Sequence, residues 1–484
     1  VHVDDYAKFI NNGTVGGINA TGVYLNNHSS FENTASGIIN NASDYGVIAV
    51  NNSSAVNDGH IQNAGEVGMA GYSGSSIENA ENGIIENTGF VGMMIEDSGS
   101  LAINRGIIRN SGAYGMWVSH GTGENYGTIQ NNFGYGAVAF DGGRIDNYGL
   151  IKNNGQVGMS AHLGATAVNQ ASGIISNTGS TGMNVVEANG LVTTAINNGL
   201  IANTGDYGMK GTGANGSIIN NGTIRNLGTS GMSVTQNALA INTGIIENRT
   251  LRGMEAYEGS TAINEGKIQN KGAVGMVAES GSSIENKESG LIANDSVSGM
   301  ISKDVGTTSI NRGIINNNGM YGMWSGNGAI AKNYGIIQNK GIHGMILVDK
   351  GRIENYGTVQ NTGDNGMIVY TEGIGINQIG GIISNTGNNG MFTVGILSTA
   401  INNGTVKNLG DVGMGGTGSV INNGLIEITG NNKKGISASG AGTTVGIAIN
   451  NGTILMHGTN NIGMYASGKS TIINQGTITL DGTG

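Results

Sequence analysis

Residues 103–117 read INRGIIRNSGAYGMW. Three short apolar centres lie in this stretch, at Ile103, Ile108 and Met116, and Gly or Asn separates them. Short runs that are rich in β-branched residues and bounded by Gly and Asn are typical of strands. None of the three is long enough for a helix. The stretch therefore predicts three short strands in a unit of about 23 residues.

The unit recurs along the chain, and a Gly-Met dipeptide marks it. Of the 19 Met residues, 16 follow a Gly at this one position, and Gly22, Gly46, Gly136 and Gly435 mark units without Met. The spacing is roughly 21 to 28 residues, inside the window of repeat arrays. We therefore predict an all-β fold, a right-handed parallel β-helix solenoid of about 20 coils, each of about 22–24 residues with three short strands.

Composition agrees with stacked coils and excludes several other classes. The chain of 484 residues has 90 Gly, no Pro and no Cys. Collagen needs Pro and a strict glycine period, and a disulfide scaffold or zinc ribbon needs Cys. Proline would delete a hydrogen-bond donor in strands paired on both sides. We expect glycine to supply positive φ at the corners of each coil, and Ile and Met to fill the interior.

One column of Asn residues follows the coil period. Stacked amides can donate hydrogen bonds to one another along such a column. We predict a structural ladder formed by Asn41, Asn63, Asn87, Asn110, Asn131, Asn153, Asn177, Asn203, Asn226, Asn248, Asn270, Asn294, Asn317, Asn339, Asn361, Asn385 and Asn408.

A second, longer repeat, which spans several coils, is superimposed on the coil repeat. Residues 103–117 match residues 310–324 at 12 of 15 positions, and the heptapeptide at 73–79 recurs unchanged at 280–286. We interpret 66–272 and 273–414 as related by internal duplication and 415–484 as more divergent coils. Residues 1–484 are predicted to form one continuous β-helix, which we expect to be a fragment of a longer chain.

Charge and hydropathy predict that the chain binds no nucleic acid and that this segment is not embedded in a membrane. The net charge is -10, no basic patch exists, and no apolar run is long enough for a transmembrane helix. The seven His residues do not recur at the coil spacing, so we predict no metal site and no cofactor. Met is a flexible filler of irregular cores, and the Met column is accordingly interpreted as interior packing.

A search for catalytic groups favours a protein that is not an enzyme. Polysaccharide-active β-helices need paired carboxylates, whereas acidic residues here are scattered at positions expected to be exposed, such as Glu78, Glu86 and Glu285. Residues 96–100 (EDSGS) resemble a serine-protease loop, but matching corners in other coils read YSGSS and ESGSS. A corner repeat is the better interpretation, since no His and Asp partners accompany it.

Candidate contacts for a ligand come from outward aromatic residues. Because side chains alternate along a strand, inward Met116 sends Trp117 outward, and Trp324 repeats this arrangement. Exposed aromatics are plausible contacts for sugars or proteins, although stacking between like residues on adjacent coils explains the tyrosines equally well. The candidates are Trp117, Trp324, Tyr126, Tyr148, Tyr334 and Tyr356. The longer loops at 184–193 and 437–444 are further candidate binding surfaces.

The repeated pattern I-x-N-x-G-x-I-x-N-x-G-x-x-G-M resembles the passenger regions of type V autotransporters, and most closely the large Gly- and Asn-rich fusobacterial adhesins. The resemblance implies an extracellular, cell-surface adhesin or stalk, anchored in the outer membrane through a region outside this chain. It implies attachment to a protein or glycan on a host cell or a bacterium. A purely structural filament or spacer, with self-association, is the alternative, and a polysaccharide-active enzyme is a third hypothesis.

Overall fold

The computed structural model describes residues 1–17, 20–41, 43–440 and 445–482. These residues contain 63 strands and no helix. The chain divides into two compact units, Val1–Glu247 and Asn248–Gly484. Each unit is a parallel β-solenoid with three strands per coil, which confirms the predicted fold class. That the two units continue a single β-helix stays a prediction.

Within each unit the first, second and third strands of every coil form three parallel sheets, here named sheets 1, 2 and 3. In the first unit, sheet 1 contains His2–Val3, Val23–Leu25, Tyr45–Ala49, Val67–Gly71, Val91–Ile95, Tyr114–Ser119, Tyr135–Phe140, Val157–His162, Thr181–Val186, Tyr207–Thr212 and Ser230–Thr235. Sheet 2 contains Lys8–Asn11, Ser30–Asn33, Ser54–Asn57, Ser76–Asn79, Leu101–Asn104, Thr122–Asn125, Arg144–Asn147, Thr166–Asn169, Thr193–Asn197, Gly216–Asn220 and Leu239–Asn242. Sheet 3 contains Thr14–Gly17, Ile38–Asn41, His60–Asn63, Ile84–Asn87, Ile107–Asn110, Thr128–Asn131, Leu150–Asn153, Ile174–Asn177, Leu200–Asn203 and Thr223–Asn226. One further strand, Ile245–Asn248, covers the last residues of this unit and the first residue of the next.

The second unit repeats the arrangement. Its sheet 1 contains Arg252–Ala256, Val274–Ala278, Ser298–Lys303, Tyr321–Gly326, His343–Val348, Asn365–Val369, Asn389–Thr393, Val412–Gly416, Lys434–Gly440 and Ile462–Gly468. Sheet 2 contains Thr261–Asn264, Ser283–Asn286, Thr308–Asn311, Ile330–Asn333, Arg352–Asn355, Ile374–Asn377, Thr399–Asn402, Ser419–Asn422, Gly446–Asn450 and Ser470–Asn474. Sheet 3 contains Lys267–Asn270, Leu291–Asn294, Ile314–Asn317, Ile336–Asn339, Thr358–Asn361, Ile382–Asn385, Thr405–Asn408, Leu425–Thr429, Thr453–His457 and Thr477–Asp481.

Identical positions lie above one another, so the core is built from columns of like side chains. Met69 pairs with Met93, and Met93 with Met116, in the register of sheet 1. All three are fully buried. Strands of sheets 2 and 3 bury every second residue, as Ile77 and Asn79 show in Ser76–Asn79. The period of two therefore places Ile inside and leaves the intervening residues on the outer face.

Most glycines serve close packing between coils rather than positive φ. A Cβ atom built on Gly92 would lie 2.5 Å from Cγ2 of Ile108 and 2.6 Å from the carbonyl oxygen of Gly115. Its φ is not in the left-handed region, whereas Gly74 at a sheet 1–sheet 2 corner has φ of 77°. Asn51 and other non-glycine residues share such corners. Positive φ at a corner is therefore the role of only a minority of the glycines. The glycine of the Gly-Met dipeptide is required for a different reason, because no side chain fits there.

Candidate functional site

The predicted Asn residues form one buried column of hydrogen bonds within each unit. In every case, Nδ2 of one Asn donates to Oδ1 of the Asn in the following coil, as Asn63 does to Asn87 at 2.9 Å. The donor–acceptor distances are 2.8–3.3 Å from Asn41 to Asn226 and 2.7–3.3 Å from Asn248 to Asn408. Nδ2 of Asn63 also donates to the carbonyl oxygen of Val67. Each amide therefore joins two coils, and several of them, such as Asn153 and Asn177, also bind the corner that follows, as Asn63 does.

A second column of Asn lies at the end of the sheet 2 strands, and the sequence analysis missed it. Its donor–acceptor distances are 2.7–2.8 Å in both units. The recurrence of Asn at the coil period was the available signal. The members are Asn11, Asn33, Asn57, Asn79, Asn104, Asn125, Asn147, Asn169, Asn197, Asn220 and Asn242 in the first unit, and Asn264, Asn286, Asn311, Asn333, Asn355, Asn377, Asn402, Asn422, Asn450 and Asn474 in the second.

The first column ends at apolar residues in the C-terminal coils. Asn408 pairs in register with Ile428, Ile428 with Met456, and Met456 with Leu480. Ile428 and Met456 are fully buried. At the other end, Gly17 stands in register with Asn41, and the buried Oδ1 of Asn41 has no hydrogen-bond partner among the described residues. Within that part of the chain the column begins with an unsatisfied acceptor.

The four candidate tyrosines form two stacked pairs on adjacent coils. The rings of Tyr126 and Tyr148 lie 4.6 Å apart at an interplanar angle of 4°, and Arg105 covers Tyr126 at 4.7 Å. Tyr334 and Tyr356 repeat this stack, also at 4.6 Å, and Arg312 covers Tyr334 at 4.7 Å. Both faces of Tyr126 and of Tyr334 are consequently occupied, which leaves their exposed edges as the surface that a ligand would meet.

The two tryptophans point outward from sheet 1, but they are half-buried rather than exposed. Trp117 lies in a column with Met94 and Val138, and its ring centroid is 6.0 Å from that of Phe140. Trp324 lies over Gly326, where a Cβ atom would meet the indole ring. Aliphatic neighbours in the same column cover part of each indole, and Phe140 of an adjacent column also contacts Trp117. This neighbourhood was not visible from strand alternation alone.

Around Trp117 lies a set of aromatic side chains that we name the aromatic patch: Phe90, Tyr114, Trp117, Tyr135 and Phe140. Tyr114 contacts Phe90 edge-on at 5.1 Å and stacks on Tyr135 at 5.5 Å. Phe90 is 54% exposed. Sequence analysis named only Trp117 of this set, although Tyr directly before the repeat Gly at 114 and 135 was a usable signal.

A histidine borders the aromatic patch. His162 stacks on Phe140 at 4.6 Å, and its Nε2 lies 2.8 Å from Oγ of Ser160. Burial lowers the pKa of His162 to about 4. The ring is therefore neutral at physiological pH and behaves as part of the apolar surface.

Acidic residues on sheets 2 and 3 are engaged by neighbouring cations. Glu78 binds Arg105 at 3.0 Å, and Glu86 binds Arg109 at 2.8 Å. Glu285 lies 2.8 Å from Nζ of Lys287 and 2.8 Å from Nε of Arg312. Although burial alone would raise the pKa of Glu285, its hydrogen bonds to these two cations bring it below the usual value. All three carboxylates are half-buried rather than exposed, and each is held by an ion pair.

The loop that resembles a protease sequence takes part in coil-to-coil hydrogen bonds. Oδ2 of Asp97 accepts from the backbone N–H of Ser73 at 3.1 Å, and Oγ of Ser100 accepts from the N–H of Gly74 at 3.0 Å. Both contacts bind one corner to the next, in agreement with a corner repeat. In the described ranges, no group of three or more His, Asp or Glu side chains is placed to hold a metal ion.

The two candidate loops differ in how much of them is described. In the first, Leu191 and Val192 are exposed at the tip, and the backbone N–H of Gly190 donates to Oε1 of Glu187 at 2.7 Å. In the second, residues 437–440 are described, while 441–444 lie outside the described residues.

No protein-family model and no curated protein matches this chain significantly. Within the residues that the structure describes, no helix has the length and apolar character required to cross a membrane.

Proposed function

We propose that the chain is an attachment protein of the cell surface, which displays side-chain columns on the outer faces of its sheets to a protein or glycan on another cell. The observation that carries this proposal is the aromatic patch on sheet 1, where Phe90 is exposed and Trp117 is half-buried. Aromatic side chains with polar neighbours are enriched at the centres of protein interfaces. The extracellular location and the anchoring through a region outside this chain are part of the same proposal.

The proposed attachment depends on binding alone and includes no catalytic step. The carboxylates Glu78, Glu86 and Glu285, which an enzyme would need free, are held by Arg or Lys. The outward residues of consecutive coils lie at the strand spacing of about 4.8 Å, so a partner meets a regular array of side chains. A regular array favours contact with an extended chain or a repetitive glycan rather than binding of one small molecule.

The test is attachment of beads that carry the purified chain to host epithelial cells and to bacterial cells. Beads coated with the wild-type chain should be retained above beads coated with albumin, and soluble chain should compete with them. The Trp117→Ala, Trp324→Ala double variant should lose most of the retention if it retains the wild-type circular dichroism spectrum. Equal retention of wild-type and albumin beads on every surface would contradict attachment.

A structural spacer is the second candidate, and the buried Asn columns favour it. Satisfied polar networks stabilise one fixed arrangement of neighbouring coils, which is a property that a spacer requires. Self-association of the purified chain into filaments, together with failure of the bead assay, would support this candidate instead.

A further inference from the structure

In the second unit, a lysine covers the outward tryptophan. Nζ of Lys303 lies 5.9 Å from the ring centroid of Trp324 and 3.1 Å from Oε1 of Glu279. The ammonium group is thus positioned for a cation–π contact with the indole and an ion pair with the carboxylate. This arrangement shows which chemical group fits above an outward tryptophan of sheet 1.

The first unit has the same tryptophan without the lysine. Trp117 and Trp324 occupy corresponding positions of the internal duplication, about 207 residues apart, and each pairs in register with an aliphatic residue of the preceding coil, Met94 or Ile301. At the position that corresponds to Lys303, the first unit has Glu96. The duplication has therefore kept the aromatic ring and reversed the charge beside it.

Glu96 and Asp97 directly follow the strand that pairs with the Trp117 strand, and Oδ2 of Asp97 already accepts a hydrogen bond from the N–H of Ser73. Among the described residues, neither Glu96 nor Asp97 forms an ion pair, and no Lys or Arg lies over the Trp117 ring. Burial raises the pKa of Glu96, and the neighbouring charge of Asp97 raises it further, while His120 acts in the opposite direction. An added cation would oppose both effects, because its attraction favours the ionised form of the half-buried Glu96 carboxyl.

An apolar floor lies next to these carboxylates. Val67, Ala70 and Val91 are buried under the partly buried rings of Tyr72 and Trp117. Because these rings already cover the buried residues, the aliphatic stem of a long cationic side chain would pack against the rings themselves, with its charged head at the polar rim.

We propose that sheet 1 of the first unit binds a partner protein through a lysine or arginine side chain that lies over Trp117 and pairs with Glu96 and Asp97. The occupant is a protein segment that carries the charge which Lys303 supplies within the second unit. This proposal rests on the proposed attachment function for its biological setting. The binding site itself is a property of the purified chain, so either proposal can fail alone.

The test uses a Trp324→Phe background, in which Trp117 is the remaining tryptophan of the two. The probe is a short peptide of alternating lysine and serine, acetylated only at its N-terminus. It is titrated into the protein at near-physiological salt, and Trp117 fluorescence is recorded. Saturable quenching or a spectral shift is expected. The same peptide with Nε-acetylated lysines should produce at least tenfold weaker binding, since it retains the length but loses the charge.

Charge reversal provides the decisive pair of variants. Glu96→Lys places a lysine at the position of Lys303, although Tyr72 stands where the second unit has Glu279. It should weaken peptide binding at least tenfold, because the new ammonium group competes with the peptide for the Trp117 ring and one carboxylate is lost. Glu81→Lys, at an exposed position, changes the net charge by the same amount and should leave binding within about twofold. Equal weakening in both variants would reduce the effect to net charge and overturn the proposal.

A gain-of-binding variant completes the test. This variant is made in the chain that keeps both tryptophans. Lys303→Met should expose the Trp324 ring and leave Glu279 without its lysine, so the chain should bind two peptides instead of one. A stoichiometry unchanged by Lys303→Met would contradict the proposal. Wild-type affinity in a folded Trp117→Phe, Glu96→Gln variant, measured by titration calorimetry because the Trp117 signal is lost, would contradict it as well.

Discussion

Nδ2 of Asn87 donates a hydrogen bond to Oδ1 of Asn110 at 3.0 Å, and both side chains are 1% exposed. The same donor and acceptor atoms recur in the coils before and after. A buried amide of this kind is satisfied only if the adjacent coils supply the complementary atoms.

Removal of one amide from the middle of this column should therefore lower the free energy of unfolding by more than the value of its own hydrogen bonds, because its neighbours are left without partners. Asn110→Ala leaves Nδ2 of Asn87 and Oδ1 of Asn131 each without its column partner. We expect the free energy of unfolding to fall by roughly 2–4 kcal/mol, as measured by urea denaturation. Asn154→Ala removes an exposed amide contact to Asn132 and should change the free energy by less than about 0.5 kcal/mol. Similar losses in the two variants would contradict a special role for the buried column.

The start of the column can be extended by one residue. A Cβ atom on Gly17 would lie 3.5 Å from Oδ1 of Asn41, which is ordinary contact. Gly17→Asn should place an amide where that buried oxygen lacks a donor, and we expect stabilisation of about 1–2 kcal/mol by thermal denaturation. Gly16→Asn is the matched control, because it removes the same backbone freedom without facing the column. A larger gain from Gly16→Asn than from Gly17→Asn would refute this account.

The Gly-Met glycine should tolerate no side chain. Gly92→Ala would bring Cβ to 2.5 Å from Cγ2 of Ile108, so the coils must separate or the isoleucine must leave its position. We expect a loss of roughly 3 kcal/mol or more in chemical denaturation, in the range of severe overpacking. Gly13→Ala is the control, since a Cβ atom at that position would have no other atom within 4 Å. Near-equal stability of the two alanine variants would show that the coils adjust freely.

His162 should make the folded state weaker at acidic pH. Its pKa is about 4 when folded, against an ordinary value of 6.5, so the unfolded chain binds more protons between these values. The contribution of His162 to the free energy of unfolding is therefore fully present above about pH 6.5. It decreases as the pH falls, and roughly 3 kcal/mol is lost below about pH 4. His162→Gln should remove this contribution from the pH profile of the unfolding free energy. An identical acid slope in wild type and variant would exclude His162 as its source.

Sequence alone predicted the repeat, the three strands per coil and the first Asn column, because each depends on a period that is visible in the order of residues. Trp117 illustrates the limit of that approach. Alternation places its side chain outside, but its partial burial depends on Met94 and Phe140 from neighbouring coils. Tyr126 illustrates the same limit, since the occupation of both its faces depends on Arg105 and Tyr148. Contacts between columns are absent from a pattern read one coil at a time.

The single direction of amide donation also bears on how such a chain can change in evolution. Every coil that carries the two Asn residues offers an acceptor to the coil before it and a donor to the coil after it. A recombination event that adds or removes whole coils therefore leaves no donor or acceptor mismatched at the new junction. Changes by part of a coil would misalign both columns at once. We expect natural variants of this gene to differ in length by whole coils, with Ile428 and the apolar residues that follow it kept as the place where the first column stops.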